Sequence, residues 1–182
     1  MSIKNKISER SGIFFISFTC GQWLSLFEIT NSYSNIYKWF DHLKAKGHKI
    51  LAYVIMPNHI HILFEFIKAE KDINTIIGNG KRFLAYEIIK TLKKQNNLEI
   101  LSKLSEATSN SDKRSNKNYK VFEKSFDCKQ ITGPYFFEQK LNYIHNNPCT
   151  GKWMLADCPK NYFHSSAKFY ITGIHAAYPV EL

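Results

Sequence analysis

The clearest pattern along this chain is alternation. Residues 13–20 place Phe14, Ile16, Phe18 and Cys20 on one face, the signature of a half-buried strand, and Gly21 breaks it. Residues 50–56 read as a second strand and residues 59–66 as a third. In the third, Ile60, Ile62, Phe64 and Phe66 share one face, while His59 and His61 share the other. Pro57-Asn58 is a tight connection, so the second and third strands are expected to pair as an antiparallel hairpin. Between the first two strands the period becomes helical. Ser32 or Ser34 caps a helix to about Lys46 that carries Ile36, Trp39, Phe40 and Leu43 on one side, and Gly47 stops it.

A second helix is expected from Asn74 to about Lys94. Ile77, Phe83, Leu84, Ile88 and Leu92 form its apolar side, and Lys81, Arg82, Lys90, Lys93 and Lys94 make it basic. Residues 99–118 turn polar and are rich in Ser, Asn and Lys from 109 onward. They read as a surface loop inserted at about 98–118 into a single domain spanning 1–182. Alternation returns over residues 119–131, a fourth strand. Thr132-Gly133-Pro134 announces a helix to about Asn147, ended by Pro148.

The order strand–helix–strand–strand–helix–strand predicts an α+β, ferredoxin-like fold. In it, two helices cover one face of a four-stranded antiparallel sheet, with an additional helix near the C-terminus. The two helices should take the Ile60/Phe64 face. That leaves the His59/His61 face for a ligand or for the additional helix.

Charge sharpens this picture. Lys plus Arg number 25 against 15 Asp plus Glu, a net charge of +10, which points to a polyanionic partner such as nucleic acid or an anionic membrane surface. Cys20, Cys128, Cys149 and Cys158 show no Cys-x-x-Cys spacing and read as reduced thiols rather than a zinc site or disulfide framework. No apolar run is long enough to cross a bilayer and the start of the chain is polar, so a cytoplasmic protein is the expectation.

The candidate chemistry lies in two segments. Two imidazoles on one face of a strand can act as a pair of metal ligands, and on this spacing alone they read equally well as ordinary strand histidines. On the last helix Tyr143 and Asn147 are four residues apart and therefore neighbours, with Lys140 one turn earlier. Packing beside the sheet is a sufficient role for a tyrosine there.

The segment MPNHIHILF, followed some eighty residues later by KLNYIHNNP, resembles the single-tyrosine HUH transposases (the IS200-like superfamily), most nearly the REP-associated tyrosine transposase branch. Pro159, Tyr162, Ser165 and Ser166 match the Pro-x-x-Tyr-x-x-Ser-Ser stretch that ends members of that branch. The resemblance covers about residues 12–170. It implies a DNA-binding enzyme that cleaves and rejoins single-stranded or hairpin DNA through a 5′-phosphotyrosine intermediate. His59, His61 and Asn147 would ligate a divalent metal, Mg²⁺ or Mn²⁺, and Tyr143 would be the nucleophile. The protein would act as a monomer or a homodimer.

Lys81, Arg82, Lys90 and Lys140 are candidates for phosphate contact, as are Lys93, Lys94, Lys113, Arg114, Lys117 and Lys120. Trp23 and Tyr119 are candidates for stacking on unpaired bases. The chain departs from many relatives at Gly21-Gln22-Trp23-Leu24, where they carry basic residues, and in the long polar insertion. Two other readings compete. One is a non-catalytic ferredoxin-like nucleic-acid-binding protein; the other is a metal-dependent phosphodiesterase that uses water, with Tyr143 structural.

Overall fold

A computed structural model describes residues 11–67, 72–109 and 117–181. Lys113 and Arg114, among the candidate phosphate contacts, lie outside the described residues. Strands β1 (Gly12–Thr19), β2 (Lys49–Ile55), β3 (His59–Phe66) and β4 (Asp127–Gln130) form one sheet in the order β2-β3-β1-β4. All its pairings are antiparallel. Helices α2 (Tyr33–Lys44) and α3 (Ile73–Lys94) follow β1 and β3, so the ferredoxin-like expectation holds. A short α1 (Leu26–Ile29) precedes α2.

The apolar periods explain the layers. Ile36, Trp39, Phe40 and Leu43 of α2 and Ile77, Leu84, Ile88 and Leu92 of α3 meet Phe14, Ile16, Phe18, Ile60, Ile62 and Phe64 in one buried core. The two helices approach closely at Gly80, where an added Cβ would lie 2.3 Å from the Trp39 ring. Asp72 caps α3 by accepting from the Thr75 amide, two residues ahead of the expected start.

The other face of the sheet is also covered. Helix α5 (Pro134–Asn146) lies across it, and Ile144 packs with Phe15, Leu51, Val54 and Leu63, flanked by Phe137 and Leu141. This is why β2 and β3 are buried on both faces. A short α6 (Ala167–Thr172) closes the chain against β2 through Ser166, whose amide donates to the Tyr53 carbonyl.

Two expectations change. Residues 98–106, assigned to the polar loop, form helix α4 (Leu98–Glu106), capped by the Asn97 side chain on the Ile100 amide. Leu101 and Leu104, three apart, bury one edge of it and Ile100 packs partly beside them, an apolar side confined to a helix of nine residues that runs on into the polar stretch. The fourth strand is four residues long rather than thirteen. Upstream of Asp127 the alternating segment leaves the ladder after a lone bridge between Phe122 and Cys20, and burial of Val121, Phe122 and Phe126 in the helical core accounts for its apolar positions.

Candidate active site

Register brings the site together. His61 pairs with Ser17 of β1 and Val54 of β2, and His59 pairs with Thr19, so both imidazoles rise from the centre of the sheet beneath α5. Each is 6% exposed. Tyr143 comes down from the last turn of α5. Asn147 follows at the helix C-cap, where Pro148 forces the chain into a 3-10 turn.

The polar contacts of His59 define its tautomer. Asn58 Nδ2 donates to the Trp23 carbonyl at 2.9 Å, which turns Asn58 Oδ1 toward His59 Nδ1 at 2.6 Å. His59 Nδ1–H therefore donates to Asn58, and Nε2 carries a lone pair. That lone pair faces Asn147 Oδ1 at 3.2 Å. Two acceptors at this distance are reconciled by a proton or a cation between them, or by the Asn147 amide turning its Nδ2 toward the ring. A proton is disfavoured, because burial pushes His59 down to about 4 despite the neighbouring Asn147 oxygen.

His61 is deeper still. Burial, followed by its neighbours His59 and Lys140, pushes it down to about 3, so it too is neutral near pH 7. Its Nδ1 is buried without a partner and its ring stacks on Phe15 at 5.5 Å between centroids. Its Nε2 lies 3.5 Å from the Tyr143 hydroxyl, an approach rather than a strong hydrogen bond. Tyr143 is half exposed, and Lys140 Nζ sits 5.5 Å from its ring centroid and 4.7 Å from that of Phe15.

The donor set suits a divalent ion. Among the described residues no three His, Cys, Asp or Glu side chains gather as ligands, and the oxygen that faces His59 Nε2 and could serve as a third donor is that of the Asn147 amide. Two neutral imidazoles and an amide oxygen leave coordination positions open. All four cysteines are free thiols, and burial raises Cys20 and Cys128 well above the ordinary thiol range.

A cavity of about 490 Å³ opens over these groups, with Trp23, Glu123, Ser125, Asp127 and Trp153 around its rim. Asn58 and Trp153 carry no local mark of their place here. Asn58 adjoins His59 in a Pro-Asn turn whose sequence accounts for it as a turn residue alone; nothing local to Trp153 relates it to a histidine 94 positions away, 5.8 Å between ring centroids.

The basic candidates separate. Lys140 is at the site. Arg82 and Lys90 are exposed on α3, on the opposite side of the sheet from the histidines. Lys81 is corrected outright: it is 4% exposed, donates to the Glu123 carbonyl at 2.8 Å and lies within 6 Å of the Phe18, Phe122 and Phe126 ring centroids. A side chain so enclosed cannot reach a phosphate. Lys120 pairs with Glu123 at 2.8 Å. Of the two aromatic candidates, Trp23 lines the cavity and Tyr119 packs beside Lys93 and the helical core.

The fold and the site thus define a ferredoxin-like domain carrying a His-x-His strand and a tyrosine helix on one face of its sheet. Among solved structures, a REP-associated tyrosine transposase bound to a REP hairpin matches with a TM-score of 0.59 at 14% identity, over 100% of this chain and 93% of that one. A protein of Deinococcus radiodurans R1, described as a candidate transposase, matches with a TM-score of 0.44 at 13% identity, over 80% of this chain and 97% of that one. The first of these likenesses shows that the chain has the fold of a REP-associated tyrosine transposase. No protein-family model and no curated protein sequence matches. No helix among the described residues is long and apolar enough to cross a membrane.

Proposed function

We propose that this protein is a single-tyrosine HUH transposase or nickase that cleaves and rejoins single-stranded or hairpin DNA. One observation carries the reading: His59, His61, Asn147 and Tyr143 converge within a single chain, with His59 Nε2 opposed to Asn147 Oδ1 at 3.2 Å and the Tyr143 hydroxyl 3.5 Å from His61 Nε2. The fold shared with a hairpin-bound transposase supports the choice of substrate.

His59 Nε2, His61 Nε2 and Asn147 Oδ1 would hold Mg²⁺ or Mn²⁺. When bound, the ion supplies polarisation of a phosphoryl oxygen and lowers the cost of charge building on the phosphate. Asn58 holds His59 in the tautomer whose Nε2 can ligate. Tyr143, on the rigid last turn of α5, presents its oxygen to the scissile phosphorus. The Tyr143 O–P bond forms as the P–O3′ bond breaks, the phenolic proton is lost, and the departing 3′ oxygen takes up a proton. The product is a 5′-phosphotyrosine and a free 3′-hydroxyl. Attack of a 3′-hydroxyl on that phosphorus reverses the step and rejoins DNA, returning the proton to Tyr143. Lys140 adds positive charge beside the developing phenolate.

Because nucleophile and ligands belong to one chain, a monomer is sufficient for cleavage. End-labelled hairpin DNA with a single-stranded flank, incubated with Mn²⁺, should yield a denaturation-resistant protein–DNA adduct that disappears in Tyr143→Phe. Cleavage without an adduct in that variant would identify water as the nucleophile. An adduct that persists in it would overturn the assignment of Tyr143.

A further inference from the structure

Two tryptophans flank His59, Trp153 partly buried against the cluster of Phe15, Val54 and Ile144 and Trp23 left in solvent. The Trp23 ring centroid lies 6.5 Å from that of His59, and the Trp153 centroid 5.8 Å. Both line the cavity, and Trp23 is 61% exposed, among the most exposed large apolar side chains described. Lys152 Nζ lies 5.7 Å from one ring centroid and 5.3 Å from the other, so the two indoles share one cation.

The backbone holds them there against its own preference. Five non-glycine residues among those described have positive φ. Two are Asn31 and Asn96, of a type that enters this region readily. The other three, Gln22 (φ 54°), Trp23 (φ 58°) and Met154 (φ 40°), lie in the two turns that carry the tryptophans, where Gly151 (φ 63°) is left-handed as well. Strain of this kind persists only where surrounding structure enforces it. At Trp23 the enforcement is visible. Gly21 N donates to the Val121 carbonyl, Gln22 N to Glu123 Oε1, Gln22 Nε2 to the Lys103 carbonyl, and Asn58 Nδ2 to the Trp23 carbonyl. The turn is tied to three other segments while the indole it carries stays in solvent.

We infer that Trp23 and Trp153, with Lys152, form a stacking subsite for an unpaired nucleobase next to the scissile phosphate. The inference rests on the nucleic-acid reading of the site and extends it. The platform has an aromatic face for a base of any sequence and a lysine that can leave the rings for a backbone phosphate. Asn58 links the subsite to the chemistry, since one side chain holds both the Trp23 carbonyl and His59 Nδ1. Within a duplex both faces of a base are already stacked on its neighbours, so the strand is expected to be open on the His59 side of the cleavage point.

The test uses full-length Tyr143→Phe protein without added metal, so that no strand is cut. Single-stranded oligonucleotides carry one 2-aminopurine, moved base by base along the sequence. Binding should quench the analogue most at one position, and adding protein should leave its already low emission unchanged in the matching duplex. Trp23→Ala, at an exposed site, should abolish most of that quenching and weaken binding about tenfold, with Trp23→Phe retaining an intermediate effect. Trp153→Ala should act at the same position. Normal binding with unchanged quenching in Trp23→Ala overturns the stacking subsite alone. Failure of the parent protein to bind any single-stranded or hairpin oligonucleotide overturns both this inference and the nucleic-acid reading beneath it.

Discussion

Lys81 offers a measurement that separates a buried cation from a DNA-binding one. Its ammonium is enclosed by three phenylalanine rings and donates to the Glu123 carbonyl, and burial pushes it down to about 8. In the unfolded chain the same group titrates near its ordinary value of 10.5. Between those values the unfolded chain binds more protons than the folded one, so stability rises with pH across this window. A displacement from 10.5 to about 8 corresponds in full to about 3 kcal/mol, of which about 2–3 kcal/mol is recovered on going from pH 7 to pH 10.

Lys81→Met keeps the apolar stem and removes the titration. With a urea dependence of about 2 kcal/mol per molar, the unfolding midpoint of the parent should rise by about 1 M relative to that variant between pH 7 and pH 10. Comparing the two proteins at both pH values cancels the ionisation of tyrosines and of other lysines. A midpoint difference that stayed constant from pH 7 to pH 10 would show that Lys81 is solvated, and would return it to the list of possible phosphate contacts.

Asn58→Ala should weaken Mn²⁺ binding about 10–100-fold by freeing the His59 tautomer, measured by calorimetry; unchanged affinity would refute the Asn58–His59 link. Gly80→Ala places a Cβ 2.3 Å from Trp39, and should cost about 1–3 kcal/mol, read from the urea midpoint; a neutral result would mean that α2 and α3 can separate freely. The His145 imidazole, buried and held by Ser166 Oγ at 2.9 Å, is pushed down to about 4, as is His164. The unfolded chain therefore takes up protons first, and stability of the metal-free protein should fall as pH drops from about 6.5 toward 4, which a midpoint at pH 5 equal to that at pH 7 would contradict.

The local code of this chain was strong where burial is one-sided and weak where it is not. Phe14, Ile16 and Phe18 alternate because their face of β1 meets α2 and α3 while the other face carries Ser17 and Thr19 beside Phe15, and Ile36, Phe40 and Leu43 recur at helical spacing because one side of α2 meets the same core; the four-stranded, two-helix order follows from such periods. Helix α5 was also legible, because Gly133 and Pro134 open it and Pro148 ends it. Residues 119–131 misled: Phe122 and Phe126 are buried by helices rather than by a strand ladder, and alternation does not record which neighbour does the burying. Helix α4 was hidden by its shortness and by the polar stretch it runs into. Lys81 stood among basic neighbours with no mark of its burial, since only the packing of Phe18, Phe122 and Phe126 around it decides that.

The site divides in the same way. His59 and His61 share a face because a strand repeats every two residues, and Tyr143 and Asn147 are neighbours because a helix repeats every 3.6. Those relations are local, and the chain determines them by itself. That the two pairs face each other at 3.2 and 3.5 Å is decided only when α5 crosses the sheet, 88 and 82 residues away along the chain. The opposed lone pairs, the two tryptophans beside His59 and the cation they share arise from that long-range closure, because each joins atoms that no short stretch of sequence brings together.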